Sequence, residues 1–183
     1  MWNRIEPFYP PWLELIPMIL LLFAFTYTFE YYPLLPEQVP THFGLTGAPD
    51  TWAAKGFWSV FVLPLVGAMV WLSMLLINYF LIIRPDDPGR FINLPRQHKE
   101  KLGREQLEYI RTTTARGMML LNLTLAAMIA TFQYGSIKTA LGHQEGLGMI
   151  ALVFAAAILI ESIGLSIKTI SMTFISGRRG GQS

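Results

Sequence analysis

"FWSVFVLPLVGAMVWLSMLLINYFLII", Phe57 to Ile83, contains no Asp, Glu, Lys or Arg. A helix needs about 20 apolar residues to cross a hydrocarbon core of about 30 Å. This run meets that length without a charge, which fixes the reading as a membrane span. Working outward, "PWLELIPMILLLFAFTYTF" precedes it from Pro11 to Phe29. "MMLLNLTLAAMIATFQY" (Met118 to Tyr134) and "LGMIALVFAAAILIESIGLSIKTI" (Leu147 to Ile170) follow it. The whole chain of 183 residues is 52% hydrophobic and 14% charged, against about 25% charged in soluble domains. The expected fold is therefore an all-α integral membrane protein. It is a bundle of four transmembrane helices with an ordered extracytoplasmic loop and a cytoplasmic amphipathic helix. The spans are placed at about 12–32, 57–83, 118–134 and 147–172, and the whole chain forms one membrane domain.

The first span has Glu14 and Pro17 inside it and no small-residue cleavage site after it. It reads as a retained helix rather than a signal peptide. The chain has no cysteine, which excludes disulfides, thiolate nucleophiles and cysteine metal sites. No His-Glu-x-x-His, Gly-x-Ser-x-Gly or phosphate-loop pattern occurs.

Basic residues set the orientation. Arg84, Arg90, Arg96, Lys99, Lys101, Arg104, Arg111 and Arg116 lie between the second and third runs, with Arg178 and Arg179 in the tail and Arg4 near the start. The other two connections hold one lysine each, Lys55 and Lys138. Four crossings put all three basic segments on one side, so both termini and the 84–117 segment are expected in the cytoplasm. The protein is then expected to be a multi-pass component of a cytoplasmic membrane. Within 84–117, "RPDDPG" is a turn, Asn93 is a candidate cap, and Leu102, Leu107 and Ile110 share one stripe. This segment is either a helix lying on the leaflet or an inward extension of the third span. Its basic excess suits anionic lipid at Arg96, Lys99, Lys101 and Arg104 better than nucleic acid. Beyond the bilayer itself, the expected partner is another membrane protein or a second copy of the chain.

The outer loop, 33–56, contains Pro33, Pro36, Pro40 and Pro49, which lower the entropy cost of holding one shape. Gly47 tolerates positive φ, and Asp50 can accept local hydrogen bonds. Phe43, Leu45 and Trp52 are expected to pack against the helix ends. His42 and Asp50 are expected to meet as an imidazole–carboxylate pair. Such a pair can fix the loop, sense pH, bind a ligand, act as a base, or join His143 and Glu145 around a metal. The candidate ligand-binding residues are His42, Phe43, Asp50, Trp52 and Glu30. No catalytic residue, metal or cofactor is assigned. Inside the membrane the polar candidates are Glu161, Asn122, Ser73 and Asn78. Helix rise places Asn122 and Ser73 near the depth of Glu161, which makes Asn122 its expected partner. Glu161 is then either packing glue or part of a polar pocket with Glu30. Glu14 and Glu30 are expected to reach the interface.

"LPEQVPTHFGLTGAPDTWAAKGFW" resembles the signature of the bacterial membrane domain of unknown function 1648. The matching positions are Pro36, Pro40, His42, Phe43, Gly47, Pro49, Asp50, Trp52 and Lys55. The same module forms the N-terminal part of membrane proteins that protect bacilli against their own SDP toxin. Those proteins carry a further C-terminal membrane domain that the third and fourth spans here do not resemble. The resemblance implies a non-enzymatic, immunity-like or signal-sensing protein whose outer loop recognises a ligand. Two other readings stay open. One is an accessory subunit of a larger membrane complex, and the other is a small membrane enzyme built on His42, Asp50 and Glu161.

Overall fold

The computed structural model describes residues 1–90 and 102–179. Asn93, Arg96, His98, Lys99 and Lys101, and with them most of the expected lipid-binding cluster, lie outside the described residues. The protein is mostly helical, and among the described residues four helices are long and apolar enough to cross a membrane. A short α1 (Trp2–Ile5) leads through a 3-10 turn (Pro11–Glu14) into α2 (Leu15–Tyr31). Strands β1 (Gln38–Phe43) and β2 (Pro49–Ala54) follow, then α3 (Phe57–Ile77), which loosens into a π-helix at Asn78–Ile83. The long α4 (Arg104–Ala140) and α5 (Ile150–Arg179) complete the chain.

Helix α4 is the spine. It packs against α2, α3 and α5, whereas among the described residues α5 packs mainly on α4. Its 37 residues rise about 55 Å, well beyond the hydrocarbon core. The expected third span at 118–134 and the described part of the basic segment before it are thus one helix, starting at an exposed Arg104. In that first stretch Leu102, Ile110 and Ala115 are buried. Midway up the bundle, Gly67 of α3 lets three helices converge. A Cβ there would lie 2.9 Å from Ile129 of α4 and from Leu21 of α2.

The end opposite the hairpin is held by a buried polar chain. Tyr9 donates its hydroxyl to Glu14 Oε1 (2.6 Å). Asn78 Nδ2 donates to Tyr9 Oη (3.0 Å) and to the Ala115 carbonyl (3.1 Å). Glu14, expected at the interface, is instead buried at 7% exposure, because this hydroxyl gives it a partner inside. Asn78 is 2% exposed and sits where α3 widens into the π-helix. The wider turn leaves carbonyls free, and arginines satisfy them. Arg111 donates to Ile82 O (2.8 Å) and to Ile83 O, and Arg4 donates to Arg84 O (2.9 Å). Arg116 ties α4 to the N-terminal segment through Phe8 O (2.6 Å).

Candidate functional site: the hairpin end

Residues 38–54 form a two-stranded antiparallel hairpin, an element absent from the all-α expectation. Prolines 40 and 49 hid it, since proline lacks the N–H that a sheet ladder needs. Both strands are edges, so the ladder tolerates them. The turn closes through Gly44 N to Ala48 O (2.9 Å) and Gly47 N to Gly44 O (2.9 Å), with Gly47 at φ 78°. A side chain at Gly47 would run into the backbone of Gly148. Only glycine allows this approach, and it lets Leu147 N donate to Gly47 O (2.7 Å). The hairpin tip is thereby strapped to the connection between α4 and α5. Its base is fixed by Lys55, whose ammonium donates to Pro33 O (3.2 Å) and Leu35 O (2.9 Å) and lies over the Tyr32 ring.

The register slips between Pro40 and His42 and again between His42 and Phe43. These bulges re-aim the side chains locally. His42 then sits opposite Thr51, and its Nδ1 reaches Asp50 Oδ1 at 2.6 Å. Thr51 Oγ1 donates to the same oxygen (3.1 Å). The hydrogen bond from His42, with that from Thr51 behind it, holds the Asp50 carboxyl below the ordinary carboxylate range. Both side chains are half or more exposed, so the pair is a solvent-facing feature rather than a buried dyad.

His42 and Phe43 also line a cavity of about 420 Å³ beneath the hairpin. Its walls come from α3 (Val62, Leu63), α4 (Phe132, Gln133, Ser136), Leu147 and Ala151 at the start of α5. Gln133 is 3% exposed. Its amide nitrogen donates to Thr28 Oγ1 (2.8 Å) and Val60 O (3.0 Å), joining α2, α3 and α4.

Other expected site residues fall elsewhere. Trp52 and Leu45 are exposed, at 45% and 86%, and do not pack on the helix ends. Glu30 is exposed on α2 near its hairpin end. His143 and Glu145 form no group with the pair that can hold a metal ion, among the described residues. Glu161 is not partnered by Asn122. Thr124 of α4 donates to Glu161 Oε1 (2.7 Å), while Asn122 Nδ2 turns toward Trp71 O (3.3 Å) on α3. Ser73 is exposed on α3 and makes no described hydrogen bond to either. Depth alone favours Asn122, but the rotation of α4 decides. Residues 122 and 124 differ by about 200° around a helix of 3.6 residues per turn, so one faces α3 and the other α5. Sequence reasoning also missed Gln133, Tyr9 and Lys55 as structural linchpins. A glutamine inside an apolar run was the available signal for the first.

The family model "Domain of unknown function (DUF1648)" matches residues 18–68, which cover α2 from Met18, the whole hairpin and the first half of α3. His42, Asp50, Gly47 and Lys55 all lie inside that segment. An uncharacterized protein of Archaeoglobus fulgidus is 30% identical over 161 residues, which cover 85% of this chain and 87% of that one. No solved structure matches. The hairpin, with its tip glycine and its His42–Asp50 pair, thus lies within the matched segment, and the chain carries a domain of unknown function 1648 at residues 18–68 and is related over a longer stretch to the archaeal protein.

Proposed function

We propose that this multi-pass membrane protein is a non-enzymatic recognition module that binds a ligand through its hairpin end. The observation that carries the reading is the coincidence of three features. A hairpin is strapped at tip and base, His42 and Asp50 form a polar pair on it, and an apolar cavity opens beneath the same strand. Ligand sites typically combine an apolar concavity of about 300–1,000 Å³ with a few fixed polar groups. Positive charge on Arg4, Arg84, Arg90, Arg104, Arg111 and Arg116 argues for a cytoplasmic opposite end and an extracytoplasmic hairpin. The 84–117 segment then faces the anionic leaflet, with Arg96, Lys99, Lys101 and Arg104 against lipid headgroups. An immunity-like role in a cytoplasmic membrane is one form that such recognition takes.

The test is to purify the protein from its producing membrane and identify tightly held small molecules by mass spectrometry. The His42→Ala/Asp50→Asn variant should lose the bound species with its helix content intact. A variant that keeps both fold and bound species would remove the hairpin from recognition. A second reading, an accessory subunit, is favoured by α5, whose span has no buried residue in its most apolar window. A stoichiometric membrane-protein partner in mild detergent, released by polar substitutions at Ile160 and Ile163, supports that reading instead.

A further inference from the structure

Helices α3 and α5 both rest on α4 and do not form a packed pair with each other. The cavity occupies the angle between them. On α3 its lining runs from Ser59 to Val66, and on α4 from Phe132 to Ala140. By helix rise these stretches are about 10–12 Å long, so the space is elongated along the bundle and not a round pit. Val62 and Val66 line it and yet remain 48% and 47% exposed. In a membrane span such exposure means contact with lipid, so the cavity has a lateral opening to the bilayer.

The lining contains no Asp, Glu, Lys or Arg, and His42 lies at its hairpin end. Its buried polar group is Gln133. Both of that residue's described bonds use the amide nitrogen, and its carbonyl oxygen, which is not among the enclosed atoms left without a partner, stays accessible from the cavity. A ligand filling the cavity would enclose that oxygen, and enclosing an acceptor without a donor costs about 1–3 kcal/mol. A ligand bearing an O–H or N–H would supply the missing donor.

We infer that the cavity takes a neutral single-chain amphiphile, drawn sideways from the adjoining leaflet between α3 and α5. Its alkyl chain lies along Val62, Val66 and Phe132, and its hydroxyl or amide head lies at the Gln133–Ser136 level under His42. This rests on the recognition reading above and names the ligand class for that site. A dianionic or zwitterionic headgroup has no counter-charge in the lining. A second full acyl chain would have to stay outside in the bilayer.

The experiment uses the full chain in lipid nanodiscs and monodecanoylglycerol carrying a photoreactive diazirine on its chain. Cross-links should concentrate at 62–66 and 132–137. Val66→Trp and Ala151→Phe, which fill the space, should cut them by about tenfold or more. Val153→Trp, on the exposed face of α5 and not in the lining, should leave them unchanged. Unlabelled monodecanoylglycerol should compete at least about tenfold better than decanoate. Labelling spread evenly over the lipid-facing helices, or unaffected by Val66→Trp, would overturn the inference. So would equal competition by decanoate, or displacement only by an apolar peptide. His42→Ala separates the two claims. Cavity labelling that ignores this variant upholds the amphiphile site and sinks the hairpin as its recognition element. Failed cavity labelling, with hairpin-dependent retention of another species, does the reverse.

Discussion

His42 and Asp50 meet because two bulges turn one strand of a proline-bearing hairpin. Their meeting was legible in the sequence, since only a short turn separates them and both are polar residues in a loop that prolines stiffen. Their exposure was not legible, because it depends on where the hairpin lies over the bundle. The hydrogen bonds from His42 and Thr51 favour the ionised Asp50 carboxyl and lower its pKa. A carboxyl whose folded pKa is lowered stabilises the fold above its unfolded pKa, about 3.9 for Asp. That contribution fades as pH falls through the lowered value. Hairpin order should therefore be insensitive to pH from neutrality down to about 4 on account of Asp50, and an acid-side loss should appear only below that. Trp52, which pairs with Pro40 across the strands, is the reporter. A fluorescence titration should show the acid transition in the wild type. In Asp50→Asn the hairpin should be looser at neutral pH and lack that transition. An unchanged acid limb in Asp50→Asn would show that another group controls it.

At the scale of elements, the four apolar runs were legible because hydrophobic length alone specifies a span. The ends were less legible. Helix α4 begins fourteen residues before the run that announces it, since Arg111 and Arg116 find carbonyl partners on neighbouring segments and need not end the helix. The π-helix at Asn78–Ile83 has no pattern of its own in the sequence. It is stabilised by contacts that bring Tyr9, Asn78 and Ala115 together across the chain. Glu14 makes the dependence sharp. Its Oε1 accepts from Tyr9, while Oε2 and Asn78 Oδ1 are buried without a partner among the described residues. Tyr9→Phe removes the one hydroxyl that serves both. It leaves the Glu14 carboxyl and an Asn78 N–H unsatisfied together. The expected loss is about 1–3 kcal/mol, read as a lower unfolding midpoint in detergent. A double-mutant cycle with Asn78→Ala should show strong coupling. Additive effects would mean that the two side chains do not share a bond.

For the whole molecule the decisive relation is that both helix-to-helix connections at the hairpin end touch, through Gly47 and Leu147. The turn at Asp86–Gly89 and the start of α4 lie one span away, at the other end. This sidedness follows from an even number of crossings, and lysine and arginine counts then predict a compartment for each side. The chain makes the assignment easy to test, because it contains no cysteine and any introduced thiol is the only one. Thr46 and Glu145 are exposed at the hairpin end, and Asp87 and Glu105 are exposed at the opposite end. Single substitutions Thr46→Cys and Glu145→Cys should react with an impermeant maleimide on intact spheroplasts. Asp87→Cys and Glu105→Cys should react only after permeabilisation. If all four invert, the bundle is right and the orientation wrong, and the proposed recognition surface then faces the cytosol. If Thr46 and Glu145 label from opposite sides, the four-crossing bundle itself fails. The strap between the hairpin tip and the α5 connection would then not exist, and the cavity would lose the wall that Leu147 and Ala151 provide.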